Sequence, residues 1–143
     1  MQEAINTLSW EELSTFLVKE ESFINGPNTP YASMRLFGQE EKDIRVTLYR
    51  DNHAWCPYCQ KIWLWLEWKR IPYLIKKATM RCYGQKEKWF LEKVPSGMFP
   101  AIELDQKVIT ESDRILLALE DVFGSLGMPL SNETTIIFRR LER

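Results

Sequence analysis

Hydrophobic and polar positions in the middle of the chain follow the order strand, loop, helix, strand. Residues 45–49 alternate as a half-buried strand, and Pro57 suits the first turn of a helix that runs to about residue 70. A second strand is predicted at residues 73–75 and a short helix at 86–93. The pattern therefore predicts a βαβ unit followed by one more helix.

A hairpin and a final helix complete the predicted domain. Residues 101–104 and 107–110 have the pattern of two paired strands, and an apolar stripe predicts a helix that begins at Ser112 and ends at Gly124. The order βαβ, α, ββα is typical of a thioredoxin-like α/β sandwich. We assign this domain to residues 44–124.

The segments on either side have other patterns. A capping box that begins at Ser9 predicts a short helix over about residues 9–20, and the Pro- and Gly-containing run 25–38 breaks both helix and strand. We therefore assign residues 1–43 to an N-terminal extension with a short helix and a loop. Residues 125–143 are predicted to be a linker and the beginning of a truncated or partner-supplied helical region.

Two of the predicted helices are too apolar for a free-standing domain. Residues 62–66 and 115–119 are hydrophobic almost all the way round, and a helix of that kind is covered on both sides. We expect a homodimer, or a missing helical domain that packs on the helices at 57–70 and 112–124. The alternatives are that the N-terminal helix covers this surface or that the tryptophans stay exposed.

Composition and charge limit the classes of partner. Hydrophobic residues make up 45% of the 143 residues, and the formal net charge is -1. This balance supplies no field for nucleic-acid phosphates. The start of the chain lacks a secretory signal pattern, and no apolar run approaches the ~20 residues that span a bilayer. We expect a soluble intracellular protein of the cytoplasm, or of an organelle if a targeting peptide was removed before residue 1.

Cys56 and Cys59 frame a Cys-Pro-Tyr-Cys motif where the predicted strand and loop lead into a helix. Unpaired N–H groups and the helix dipole stabilise an anion at that point, and such a setting lowers the pKa of a thiol from about 8.5 to about 3.5–7.5. Cys56 is therefore the predicted nucleophile. Cys59 lies about one turn further in and is the predicted resolving thiol, which attacks a mixed disulfide on Cys56.

A structural zinc site is the alternative use of these cysteines. The chain offers enough ligands for it in His53, Cys56, Cys59 and Cys82. The strand-before, helix-after context and the lack of a second close cysteine pair favour redox chemistry, so we predict no metal. Cys82 is most simply a partly buried small hydrophobe, and His53 a polar loop residue that, if protonated and near, helps to hold the thiolate.

Two further candidate sites lie next to predicted strand ends. Phe99 and Pro100 precede a strand, and we predict a cis peptide bond there that leaves the Phe99 backbone free to pair with an extended, peptide-like thiol. An ordinary trans proline is the alternative. Ser112 begins a helix, where it can cap the helix and offer its N–H and hydroxyl to a carboxylate, although a simple helix cap would have the same sequence.

Together these motifs resemble one known family. Residues 44–124 resemble the N-terminal domain of glutathione transferases, particularly the cysteine-containing omega-like classes, and the Cys-Pro-Tyr-Cys motif resembles that of dithiol glutaredoxins. The positions that carry the omega-like pattern are Lys88, Trp89, Phe90, Pro95, Gly97, Phe99, Pro100, Glu111 and Ser112. The chain departs from the patterns at His53, where glutaredoxins commonly have lysine, in its second cysteine, and in a longer segment before Lys86.

The resemblance implies glutathione as the cosubstrate. Lys86 would bind its glycyl carboxylate, and the Phe99 backbone, next to Pro100, would pair with its cysteinyl unit. Glu111 and Ser112 would hold its γ-glutamyl end. The implied function is a glutathione-dependent thiol–disulfide oxidoreductase of thioltransferase or dehydroascorbate-reductase type, acting on small-molecule thiols and disulfides. The alternatives are a glutathione transferase that conjugates electrophiles, for which Ser or Tyr would suit position 56 better, and a non-enzymatic module that binds Fe–S, zinc or a partner.

Overall fold

The chain has an α/β fold, in which a β-sheet with both parallel and antiparallel strands carries helices on both faces. The structure is a computed structural model and describes residues 8–17 and 20–126. In chain order its main elements are α1 (Trp10–Thr15), α2 (Glu20–Asn25), β1 (Met34–Arg35), β2 (Val46–Asp51), α3 (Pro57–Lys69), β3 (Tyr73–Ala78), α4 (Lys88–Lys93), β4 (Ala101–Leu104), β5 (Lys107–Thr110) and α5 (Ser112–Phe123). No helix in these described ranges is long and apolar enough to cross a membrane.

The five strands make one sheet in the order β1-β3-β2-β4-β5. β2 and β3 are parallel because α3 connects them, whereas β4 runs antiparallel to β2, and β5 antiparallel to β4. Asp105 and Gln106 form the two-residue turn between β4 and β5, with φ values of 48° and 69° that suit a tight hairpin. The predicted thioredoxin-like fold is therefore confirmed.

The core lies on both faces of this sheet. On one face, Ile62 and Leu66 of α3 and Ile115 and Leu119 of α5 are buried against the strands. On the other face, Phe90 of α4 packs in a second cluster with side chains of β2 and β4. Full burial of each such side chain contributes roughly 1.5–3 kcal/mol, so the two clusters fix the helices relative to the sheet.

The register of the sheet brings three strand ends together at one edge. Tyr49 near the end of β2 pairs with Ala101 at the start of β4, and Ala101 also pairs with Thr110 at the end of β5. The loop before α3, the Phe99-Pro100 bond and the beginning of α5 consequently lie along the same edge. The candidate site is built there.

The N-terminal segment differs from its prediction. The capping box at Ser9 is confirmed, but the helix ends at Thr15 rather than near residue 20, and α2 follows as a separate helix. The hydroxyls of Ser14 and Thr15 donate back to the carbonyls of Glu11 and Glu12, each at 2.7 Å, which competes with helical bonding.

The predicted loop at 25–38 contains the edge strand β1, which pairs antiparallel with β3. Arg35 of β1 is buried and donates from Nε and Nη2 to the carboxylate of Glu67 at 2.9 and 3.0 Å. Tyr73 donates its hydroxyl to the same carboxylate at 2.7 Å. This network ties the N-terminal segment to α3 and β3, so the sheet begins within the segment that we assigned to the extension.

The outer faces of α3 and α5 expose apolar side chains, as the sequence pattern predicted. Leu64 and Trp68 of α3 are 68% and 78% exposed, and Leu117 of α5 is 66% exposed. α1 buries none of its own residues, and its Trp10 is 84% exposed. The alternative in which the N-terminal helix covers this surface is therefore wrong for the described residues. Most of the segment 125–143, where a linker and the beginning of a helical region were predicted, lies outside the described residues.

Candidate active site

Cys56 lies where the loop after β2 enters α3. It takes the N-cap position in an extended conformation, and Pro57 follows as the first helical residue, where its missing N–H costs nothing. The Cys56 Sγ accepts the backbone N–H of Cys59 at 3.4 Å. The first-turn N–H groups of α3 have no carbonyl partner within the helix, and the Cys56 sulfur serves as acceptor for one of them.

Cys59 lies one turn further along α3 and is only 1% exposed. Both thiols are free. Burial raises the pKa of the Cys59 thiol, and the hydrogen bond and charge of Cys56 raise it further. Cys59 is therefore held as a thiol at neutral pH, behind a Cys56 sulfur that reaches the surface cleft described below.

The buried carboxylate of Asp51 holds the loop in front of Cys56. Its Oδ2 accepts the N–H of Trp55 at 2.7 Å, and its Oδ1 accepts the N–H of Cys56 at 3.3 Å. These bonds satisfy two backbone donors that the loop would otherwise bury unpaired. Asp51 was not among the predicted site residues, although an acidic residue at the end of a strand, five positions before the cysteine, was a usable signal.

Arg50 is a fully buried cation next to this loop. Its guanidinium donates to the carbonyls of Asp51 at 2.7 Å and Pro30 at 2.6 Å, and it lies 4.6 Å from the ring centroid of Trp63. Burial lowers the pKa of Arg50, while the Asp51 carboxylate acts in the opposite direction. The positive charge therefore sits close to the carboxylate that positions Cys56.

A cleft of about 910 Å³ opens beside Cys56. Its wall is formed by residues 56–58 at the start of α3, by residues 80–81 and 84–86 of the loop after β3, and by Leu91 together with residues 96–99. The Cys59 side chain lies behind this wall. A molecule in the cleft can therefore reach Cys56 directly and Cys59 only through Cys56.

Lys86 and Phe99 are the two predicted glutathione residues that line the cleft together with Cys56. The Lys86 Nζ donates to the carbonyl of Thr79 at 3.0 Å and lies 3.7 Å from the ring centroid of Phe99. Burial lowers the pKa of Lys86. The Phe99-Pro100 peptide bond is cis, as predicted, and the Phe99 backbone forms no hydrogen bond with another described residue.

Glu111 and Ser112 do not line this cleft; they lie at the adjoining sheet edge, directly after the Thr110 that pairs with Ala101. The prediction that Ser112 caps α5 is wrong, because Ser112 is the first helical residue and Glu111 takes the N-cap position without a side-chain bond. Glu111 has φ 69° and ψ 118°, a sparsely populated conformation for a residue with a side chain. Such conformations cost about 1–3 kcal/mol and concentrate at functional sites.

The part of the chain that contains Cys56 is similar to known enzymes. Residues 55–122 match the family model described as Glutathione S-transferase, N-terminal domain. Over 68 residues, which are 48% of this chain, the sequence is 38% identical to Glutathione S-transferase DHAR3, chloroplastic, and 37% identical to Glutathione S-transferase DHAR2, both from Arabidopsis thaliana. The thioredoxin-like domain of this chain resembles a glutathione transferase N-terminal domain.

A solved structure supports the same likeness. Glutathione transferase Omega 3C from Trametes versicolor is 33% identical with a TM-score of 0.52, and the similarity covers 68% of this chain and 42% of that one. The matched segment spans only 25% and 30% of the two Arabidopsis proteins. The likeness therefore concerns the domain that carries Cys56 and not the whole length of these relatives.

The four ligands of the zinc alternative do not come together. In the described part of the chain, the close group of potential metal ligands is Asp51, Cys56 and Cys59, whose ligand atoms lie within 4.8 Å of one another. His53 is not part of this group. Its ring packs on the rings of Tyr83 and Trp55, with centroid-to-centroid distances of 4.7 and 5.4 Å. Cys82 is exposed, so the prediction that it is partly buried is wrong.

Proposed function

We propose that this chain is a glutathione-dependent thiol–disulfide oxidoreductase in which Cys56 is the nucleophile and Cys59 the resolving thiol. The observation that carries the proposal is the position of Cys56, which caps α3 and also lines the cleft. Cys59 lies buried one turn behind it, within hydrogen-bond reach of its sulfur. The similarity to glutathione transferases supports glutathione as the cosubstrate.

In the proposed first step, the Cys56 thiolate attacks the glutathionyl sulfur of a mixed disulfide R–S–S–G. A disulfide forms between Cys56 and glutathione, and the R–S to S–G bond breaks. The electron pair leaves on R–S⁻, which takes a proton from water. The N–H of Cys59 and the free N–H groups of α3 stabilise the negative sulfur before attack.

Two routes then restore Cys56. The thiolate of a second glutathione can attack the glutathionyl sulfur, which releases oxidised glutathione and the Cys56 thiolate. Alternatively, Cys59 attacks the Cys56 sulfur, releases glutathione and leaves a Cys56–Cys59 disulfide that two glutathione molecules reduce. Since burial keeps the Cys59 pKa high, the second route requires prior loss of a proton, and we propose that the first route dominates for glutathione mixed disulfides.

Glutathione is proposed to lie along the sheet edge that carries the cleft. Lys86 would pair with its glycyl carboxylate, and the Phe99 backbone, which is free of other described partners, would pair with its cysteinyl unit. Glu111 and Ser112 would hold the γ-glutamyl end at the start of α5. Hydrogen bonds to charged groups contribute ~1.5–3 kcal/mol. Glu111→Ala or Ser112→Ala should therefore raise the apparent glutathione constant roughly ten-fold or more.

The test is glutathione-dependent reduction of a mixed disulfide, run beside conjugation of a chlorinated aromatic substrate. Cys56→Ser should abolish mixed-disulfide reduction, whereas the matched variant Cys82→Ser, at an exposed thiol outside the cleft, should keep it. Mass spectrometry of the Cys59→Ser protein after treatment with oxidised glutathione should place one adduct on Cys56, because no second thiol can then displace it. Conjugation without mixed-disulfide reduction, or an adduct on Cys82, would overturn the proposal.

Metal binding is the second candidate function, because Asp51, Cys56 and Cys59 place three potential ligand atoms within 4.8 Å of one another. Against it, both carboxylate oxygens of Asp51 already accept backbone N–H groups. Metal analysis and visible absorbance of freshly purified protein test this candidate. A stoichiometric metal that protects Cys56 from alkylation would favour it over the redox proposal.

The outer faces of α3 and α5 are the proposed contact surface for a second copy or for a helical domain. Leu64, Trp68 and Leu117 are exposed on these faces. Concentration-dependent dimerisation or binding of a hydrophobic dye would support this proposal, and a monodisperse monomer without dye binding would contradict it. We propose the cytoplasm as the compartment.

A further inference from the structure

The cleft beside Cys56 carries positive charge that no carboxylate in its wall neutralises. Among the described residues that line it, Arg81 and Lys86 are cationic and none is acidic. The chain as a whole has a formal net charge of -1, so this local excess is a property of the cleft. The carboxylates of Glu87 and Asp51 act electrostatically on Lys86 and oppose the effect of burial on its pKa, whereas no carboxylate of the described residues pairs with Arg81. A positive cleft favours an anionic occupant.

The two cations are held differently. The Lys86 Nζ donates to the Thr79 carbonyl and lies over the ring face of Phe99. The aliphatic part of the Lys86 side chain packs against Gly97, where an added Cβ would lie 3.3 Å from the Lys86 Cδ. Arg81 forms no ion pair or hydrogen bond with another described residue, although it lines the same cleft. Lys86 is already used in the proposed glutathione site, so the Arg81 guanidinium remains available for a second molecule.

The loop that carries Arg81 is fastened on both sides. At its base, the Glu87 carboxylate accepts the N–H of Thr79 at 2.9 Å and its hydroxyl at 2.8 Å. At its tip, the Tyr83 ring lies 4.7 Å from the His53 ring and 5.4 Å from the Trp55 ring, centroid to centroid. These contacts join the loop to the segment directly before Cys56. Arg81 therefore lies on a loop that these contacts hold in place along the cleft.

We infer that Arg81 is a specificity-determining residue that selects second substrates with a carboxylate close to the disulfide that Cys56 attacks. The inference rests on the proposed function and names the substrate class of the same site. A guanidinium presents a planar fork of donors that matches a carboxylate, and it stays charged at all physiological pH values. Because Arg81 is exposed, the preference should be moderate, about three- to ten-fold in kcat/KM over a neutral substrate.

Three mixed disulfides of glutathione test the inference, since they differ mainly in one charge. Their second halves are 3-mercaptopropionate, 2-mercaptoethanol and cysteamine, which are anionic, neutral and cationic. The wild-type protein should prefer them in that order, and the preference should shrink in high salt because exposed charges are screened. Arg81→Gln should bring the anionic-to-neutral ratio close to one, and Arg81→Glu should reverse it. Both variants should lose less activity toward the neutral substrate than toward the anionic one.

Arg114→Gln is the matched control, because Arg114 is an exposed arginine on α5 outside the cleft wall. It removes the same charge and should leave the substrate order unchanged. Equal ratios in wild type and Arg81→Gln would overturn the inference. A raised glutathione constant in Arg81→Gln with an unchanged substrate order would also overturn it, because Arg81 would then bind glutathione itself.

Failure of the proposed function is a separate result. If the wild-type protein reduces none of the three compounds, that function is refuted. The charge preference is then measured by calorimetric binding of the same compounds to Cys56→Ser protein. Tighter binding of the anionic compound that disappears with the additional Arg81→Gln change supports the inference. Equal binding of all three compounds overturns it.

Discussion

Asp51→Asn changes the group that holds the loop in front of Cys56 while keeping its size. The carboxylate accepts two backbone N–H groups, from Trp55 at 2.7 Å and from Cys56 at 3.3 Å. An asparagine has a single acceptor oxygen, and its amide nitrogen must face one of these donors. The variant therefore loses at least one charge-assisted hydrogen bond, which contributes about 1.5–3 kcal/mol. It also removes the negative charge next to the buried Arg50.

We expect the free energy of unfolding to fall by roughly 2–3 kcal/mol, which corresponds to a drop in Tm of roughly 5–12 °C for a domain of this size. Urea unfolding followed by tryptophan fluorescence measures the change, and an unchanged m value identifies it as a change in stability. Hydrogen exchange at the amides of Trp55 and Cys56 should also become faster.

Asp121→Asn is the matched control, because Asp121 is exposed on α5. Its effect should stay within about 0.5 kcal/mol, as is usual for surface positions. If Asp51→Asn is as stable as Asp121→Asn and its two loop amides exchange at the wild-type rate, then the carboxylate does not hold the loop. Asp51 would then have no part in positioning Cys56.

Three further changes test other parts of the structure. Cys59→Ser should keep reduction of glutathione mixed disulfides but lose most direct disulfide reduction, and loss of both activities would contradict the roles assigned to the two thiols. Burial, with a hydrogen bond to Glu103, raises the pKa of Tyr49 to about 12. Since the unfolded chain loses this proton at a lower pH than the folded protein, stability should fall as pH rises from about 10 to 12. Tyr49→Phe should weaken that fall. The same dependence of stability on pH in Tyr49→Phe and wild type would refute the role of Tyr49. Gly97→Ala should lower the free energy of unfolding by roughly 1–2 kcal/mol, because Gly97 has a φ of +63°. It should also raise the glutathione constant, because the added Cβ lies 3.3 Å from the Lys86 Cδ. Gly38→Ala is the control, because Gly38 has φ +84° and a Cβ added there meets no atom within 4 Å. It should lower the stability without changing the glutathione constant. Equal glutathione constants in the two variants would show that the contact between the new Cβ and Lys86 does not affect glutathione binding.

The local pattern was sufficient to predict most of the elements. β4, β5 and α5 begin and end where alternation, the Asp105-Gln106 turn and Gly124 placed them. The position of Cys56 before Pro57 predicted the N-cap of α3. These features depend on neighbours within a few residues, because backbone propensity, capping and turn conformation are local.

β1 could not be predicted from its own residues. Met34–Arg35 is a strand because β3 offers it a free edge, and because Arg35 finds Glu67, a carboxylate 32 positions away in the chain. No periodicity in a two-residue segment encodes such a partner. Pairing across a sheet edge is decided by what tertiary folding brings alongside.

For the candidate site, the sequence by itself was enough to predict that Cys56 caps a helix and that the Phe99-Pro100 peptide bond is cis. Only the tertiary structure decided which charges share the cleft with Cys56. It brought Lys86 and Arg81 into one wall, placed Asp51 under the loop and kept Glu111 and Ser112 at the adjoining edge. The physical reason is that helix capping and turn chemistry act within one turn of chain. Charge and hydrogen-bond complementarity instead depend on distances between segments, and these are fixed only when the core on both faces of the sheet has packed.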